Sequence, residues 1–99
     1  MKTPVIELFY ADICGLCHKA MDYFRSRGLA FTAHEVFWDH DRFRDTPTAR
    51  AMKERCGEVD FVPQIFVNGV HIPGWRKLEP MIQSGEFDRL INAGRDTTA

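Results

Sequence analysis

Residues 9–24 read FYADICGLCHKAMDYF, and this stretch decides how the rest of the chain is understood. It sets Cys14 and Cys17 between an apolar run and a segment with helical spacing. Cys17, Ala20, Met21 and Phe24 fall at i, i+3, i+4 and i+7, which is one face of a helix over residues 15–27, with Gly28 as its stop. Upstream, PVIELFY reads as a buried strand with Glu7 as the one charge inside it. A Cys-x-x-Cys pair at the mouth of a strand–turn–helix is a redox signal. Two residues between the cysteines, on a first helical turn, bring the sulfurs within bonding reach. Cys14 falls at the helix N-terminus, where unpaired N–H groups and the dipole favour a thiolate, the species that attacks a disulfide. Cys17, one turn in and covered by the helix, suits the resolving role. His18 and Lys19 add positive potential; Asp12 opposes it.

The competing reading is zinc. A structural zinc site needs four ligands, and no second Cys-x-x-Cys or His pair is present. Cys56 is the third cysteine, and it falls on an apolar helix face, where a small buried hydrophobe is the better reading. No metal is therefore assigned.

Working outward, LAFTAHEVF reads as a second strand and WDHDRFRD as a polar loop in which Trp38 and Phe43 anchor to the core. Thr46 and Pro47 give an N-cap and first-turn signal for a helix that ends at Cys56, before Gly57. In PQIFVNGVHI, Asn68-Gly69 is the favoured two-residue turn between two short strands. RKLEPMIQS and EFDRLINA read as short helices ended by Gly85 and Gly94. Pro80 suits only a first helical turn, which puts the start of its helix near residues 76–78. The expected order is β-α-β-α-β-β-α-α, with a right-handed crossover between the first two strands. At 99 residues the chain is one domain, residues 1–99.

Composition limits the partners. The net charge of −1 and the scattered cations, Arg42, Arg44 and Arg50 among them, give no field for nucleic acid or an anionic membrane. No apolar run approaches the roughly 20 residues that span a bilayer, and no secretory leader is visible after Met1. Three cysteines do not make a secreted disulfide framework, so a cytoplasmic location is expected.

With these elements in place, the chain resembles a glutaredoxin over nearly its whole length. LFYADICGLCHKA is similar to that family's strand, active-site turn and helix, and FVPQIFVNGVHIPG to its Val-Pro strand, hairpin and glycine turn. The resemblance implies a thioredoxin-like α/β fold, a four-stranded mixed sheet flanked by helices, with Pro63 in the cis form. It implies a monomeric thiol–disulfide oxidoreductase that uses glutathione as co-substrate on protein disulfides and glutathione mixed disulfides. Cys14 would take the mixed disulfide and Cys17 resolve it. The backbone of Val62, beside Pro63, would pair with the cysteinyl part of glutathione as an added strand. Gly74, Trp75 and Arg76 would form the turn at its γ-glutamyl end.

Several positions depart from the family pattern. Gly15-Leu16 replaces the common Pro-Tyr, Ala11 a frequent lysine, and Phe61 the threonine before Val-Pro. PGWRK puts Arg76 and Lys77 where carboxylates usually stand. GWRK is similar to the turn of glutaredoxin-like redoxins that serve ribonucleotide reductase, which implies thioredoxin reductase as an alternative donor. Gly15 keeps open a further resemblance, to glutaredoxins that carry an iron–sulfur cluster.

Overall fold

The computed structural model describes residues 4–93. Four strands form one mixed sheet: β1 (Ile6–Tyr10), β2 (Thr32–Glu35), β5 (Gln64–Val67) and β6 (Val70–Pro73), in the order β2-β1-β5-β6. β1 and β2 run parallel, joined by helix α1 (Gly15–Ser26), while β5 pairs antiparallel with both β1 and β6. Helix α2 (Pro47–Cys56) precedes β5, and α3 (Trp75–Ser84) and α4 (Glu86–Ala93) follow β6. This is the expected thioredoxin-like architecture. Among the described residues, no helix is long and apolar enough to cross a membrane.

The register explains how the sheet divides its side chains, because successive residues of a strand point to opposite faces. Leu8, Ile65 and Ile72 align across three strands, and Ile6 aligns with Val67. These join Cys17, Phe24, Leu78 and Phe87 in the larger core cluster, under α1, α3 and α4. On the other face Glu7, Phe66 and His71 align, as do Phe9 and Gln64. Phe9 and Phe66 pack there with Ala11, Val36 and Met52 of α2 in a second, smaller cluster.

Local signals set the helix ends. Thr46 caps α2 by accepting the N–H of Ala49 at 3.1 Å, Pro47 opens it, and Gly57 follows Cys56. Asn68 and Gly69 both have positive φ, as the hairpin turn requires.

Four expectations need correction. First, the segment read as a polar loop contains a hairpin, β3 (Trp38–Asp39) with β4 (Arg42–Phe43). Two-residue strands are too short to show alternation, and what holds them is an edge-to-face Trp38–Phe43 pair with centroids 4.8 Å apart. Second, of these two rings only Phe43 reaches the core; Trp38 is exposed. Third, β2 is confined to Thr32–Glu35, because only those residues find partners on β1. Fourth, α3 begins at Trp75, so Pro80 lies past the first turn. Burial of Trp75, Leu78 and Met81 on one face outweighs the lost bond, and both Pro80 and Arg76, whose carbonyl is left without that donor, are exposed to water. The helix stop at Gly94 lies outside the described residues.

Candidate functional site

The turn between β1 and α1 is held by its own backbone. The Cys14 N–H donates to the Ala11 carbonyl at 3.0 Å, and the His18 N–H donates to the Cys14 carbonyl at 3.2 Å. Cys14 is the N-cap of α1, with extended backbone angles, and its sulfur accepts the N–H of Cys17 at 3.1 Å. A free donor of the first helical turn thus points at the sulfur, where it stabilises negative charge. The Cys14 thiol also reaches the Val62 carbonyl, at 3.5 Å. His18 Nε2 lies 2.7 Å from the Asp12 carbonyl; a carbonyl only accepts, so this nitrogen carries the proton and ties the turn to the helix.

The two thiols differ in environment. Cys14 is half-buried at the rim, while Cys17 is fully buried in the core. Burial first, then its hydrogen bond with the Cys14 sulfur, pushes the Cys17 thiol far above the ordinary range. Cys17 therefore stays protonated. Cys56 sits apart at the end of α2, half-buried against the second cluster, and burial raises its thiol too.

The second half of the site is the loop entering β5. The Val62–Pro63 bond is cis, and Pro63 is buried. Val62 touches both core clusters, so its backbone is held beside Cys14. Gly74, at the N-terminus of α3, has φ 93°, and a Cβ there would lie 3.2 Å from the Phe61 ring. Glycine is needed on both counts, and the contact fixes the turn against the Val62 loop. Trp75 is buried against α1, edge-on to Tyr23 at 6.4 Å and with the Lys19 ammonium 5.8 Å from its centroid. It serves the core more than the hairpin. Arg76 is exposed and, among the described residues, pairs with no carboxylate. Cys14 and Val62 are thus in contact, Pro63 adjoins them in sequence, and Gly74 reaches this loop through Phe61, while Trp75 packs on α1 and Arg76 faces water.

Sequence reasoning passed over Gln64. It is completely buried, donates to the Phe61 carbonyl at 2.9 Å and accepts from His71 Nε2 at 2.7 Å. It braces the loop that carries Val62. The available signal was a polar side chain inside an otherwise apolar strand, a residue that needs partners once buried.

A cleft of about 630 Å³ lies elsewhere, between the β3–β4 hairpin and α2. Its Arg42, Arg50 and Lys53 are paired with Asp41, Asp45 and Glu58, and no thiol lines it.

The Glutaredoxin family model matches residues 6–72, which spans the thiol turn, the cis-proline loop and the hairpin. A probable glutaredoxin of Synechocystis sp. is 26% identical over 88 residues, covering 89% of this chain and 93% of its own. The solution structure of a glutaredoxin from Brucella melitensis superposes with a TM-score of 0.66 at 27% identity, covering 95% of this chain and 92% of its own. The crystal structure of a buckwheat glutaredoxin–glutathione complex has a TM-score of 0.69 at 20% identity, covering 89% of this chain and 76% of its own, a likeness of fold.

Proposed function

The chain belongs to the glutaredoxin family and is a thiol–disulfide oxidoreductase, and from that premise we propose that it reduces protein disulfides and glutathione mixed disulfides through Cys14 and Cys17, with glutathione as reductant. The observation that carries this is the asymmetry of the thiols: one at a helix N-cap on the surface, the other buried and protonated one turn on.

The Cys14 thiolate attacks the glutathione-side sulfur of a mixed disulfide, forming Cys14–S–S–glutathione and releasing the protein thiol. A second glutathione thiolate then attacks that bond, leaves as glutathione disulfide and returns Cys14. On a protein disulfide the first adduct is Cys14–S–S–protein, and Cys17 displaces the protein as its dithiol. Two of the influences that keep Cys17 protonated come from Cys14 itself, a hydrogen bond and a like charge. Both lapse when the Cys14 sulfur becomes part of a disulfide, so Cys17 ionises more easily at the step that needs it. Two glutathiones then reduce the Cys14–Cys17 disulfide.

A buckwheat relative of the same fold holds glutathione, which supports glutathione as the partner here. Its cysteinyl backbone would pair with Val62, and the exposed Arg76 would hold a carboxylate with its planar fork. We place this chemistry in a reducing compartment such as the cytosol. The Gly74-Trp75-Arg76 turn also favours a second donor, thioredoxin reductase.

Steady-state assays with glutathione and its reductase, run against thioredoxin reductase, decide the donor. Cys14→Ser should abolish both reductions, and Cys17→Ser should keep the mixed-disulfide activity and lose the protein-disulfide one. Loss of both in Cys17→Ser would overturn the one-thiol route. Arg76→Ala should raise the half-saturating glutathione concentration about tenfold, each ~1.4 kcal/mol being one decade and a charged hydrogen bond contributing roughly that or more. An unchanged glutathione dependence there would assign the turn to the other donor.

A further inference from the structure

The described cations divide into two groups. Arg25, Arg27, Arg42, Arg44, Arg50, Lys53 and Arg55 each face a carboxylate within 4 Å. Among the described residues, Lys19, Arg76, Lys77 and Arg89 have none. One of these four, Lys19, lies over the Trp75 ring, and two more, Arg76 and Lys77, follow Trp75 in the first turn of α3. Cations without a carboxylate are the exception among the described residues, and three of the four belong to Trp75 and the α1 turn it faces, an arrangement that suits an external partner.

The same rim carries exposed apolar side chains. Ile13 is 76% exposed, Leu16 39% and Phe61 45%. Ile13 precedes Cys14 and Leu16 follows it by two residues, while Phe61 adjoins Val62, whose carbonyl touches the Cys14 thiol. The Cys14 thiol meets the Val62 carbonyl, a Cβ at Gly74 would meet the Phe61 ring, and the Lys19 ammonium lies over Trp75, while Leu16 stands three residues before Lys19 on α1. The acidic groups near this rim are Asp12 and Asp60 on the thiol-turn and Val62-loop side, and Glu79, one turn past Arg76. Arg76 and Lys77 thus stand on the α3 side of the rim and Asp12 and Asp60 on the side of the thiol turn and the Val62 loop.

Resting on the oxidoreductase reading above, we infer that the substrate is a protein segment whose disulfide is flanked on one side by carboxylates and carries an apolar side chain beside the reacting cysteine. The apolar side chain packs on Ile13, Leu16 and Phe61, and the carboxylates face Lys19, Arg76 and Lys77. Charge complementarity then sets the direction in which the segment crosses Cys14 and raises its encounter rate.

The test uses the prereduced protein, so that no electron donor enters, and three synthetic peptides with one intramolecular disulfide and a leucine beside it. Their flanks carry glutamates, glutamines or lysines. At low salt the glutamate peptide should be reduced about tenfold faster than the lysine peptide, within the range that steering supplies, and salt above the Debye regime should shrink that ratio. Lys19→Gln with Lys77→Gln should bring the ratio toward one, and Phe61→Ser should slow all three peptides alike. Equal rates on the three peptides in the wild type would overturn the docking surface and leave the oxidoreductase reading standing. Failure to reduce any peptide or a glutathione mixed disulfide would instead overturn the reading on which it rests.

Discussion

The two faces of the sheet are built on different terms. The face under α1, α3 and α4 is dry: Leu8, Phe24, Ile65, Leu78 and Phe87 have no exposed surface. The opposite face has one helix, α2, over it, with Phe43 of the β3–β4 hairpin beside it, and accepts polar groups within its rows. Glu7 receives both ends of the Arg55 guanidinium, at 3.2 and 3.3 Å, and His34 Nε2 at 3.2 Å. The Arg55 guanidinium lies 4.0 Å from the Phe66 ring centroid, and His71 stacks on that ring at 4.8 Å. A thinly covered face can keep a charge because water and a paired cation share its solvation, whereas an unpaired charge on the dry face would cost several kcal/mol or more. The dry face holds the resolving thiol protonated; the other face, through Gln64, braces the loop beside the attacking one.

This contrast can be broken in three places. The largest effect should come from the dry face. Phe24→Ala removes a ring packed on Phe31 and Phe87 and should cost about 3–5 kcal/mol in chemical denaturation. A loss below ~1 kcal/mol would mean that this core re-packs freely and that the two faces are not distinct.

Gln64→Ala should come next. It leaves the Phe61 carbonyl and His71 without their partners, and a buried polar group left alone costs about 1–3 kcal/mol. Because the same carbonyl belongs to the loop that carries Val62, mixed-disulfide turnover should fall with it. Full activity at reduced stability would separate the brace from the site.

The smallest effect is Glu7→Gln, about 1 kcal/mol at neutral pH for a partly exposed pair. The hydrogen bond from Arg55, then that from His34, holds the Glu7 carboxyl below its ordinary value. Its contribution is therefore complete above the unfolded carboxylate value near 4.5 and is lost as pH falls through the lower folded one. Desolvation by burial, then Arg55, holds His71 below the ordinary histidine value, and the sign is the same: stability present above about 6.5 declines as the ring is forced to charge. Thermal unfolding followed from pH 7 downward should fall less steeply in Glu7→Gln than in wild type below pH 4.5. Parallel curves would show that the charged cluster adds nothing through ionisation.

Much of the site was legible in the chain because its signals are local. The Cys14 N-cap, the Thr46-Pro47 start, the Asn68-Gly69 turn and the Gly57 stop each act within one turn of backbone, and the structure has all four where the residues put them. The heptad-like spacing of Cys17, Ala20, Met21 and Phe24 likewise named the buried face of α1. What remained hidden depends on register. Glu7 looked like a stray charge in a strand; its partner Arg55 is 48 residues away. Gln64 drew no reading from the sequence; its place opposite Phe9 sets it beside His71 and the Phe61 carbonyl. The start of α3 followed from where Trp75 finds its cover, against α1, a preference stronger than the restriction imposed by Pro80. Caps and turns are decided by neighbouring backbone groups, so the sequence alone determines them. Solvation of a buried charge or amide is decided by whichever side chains the finished sheet brings opposite, and only the tertiary structure supplies those.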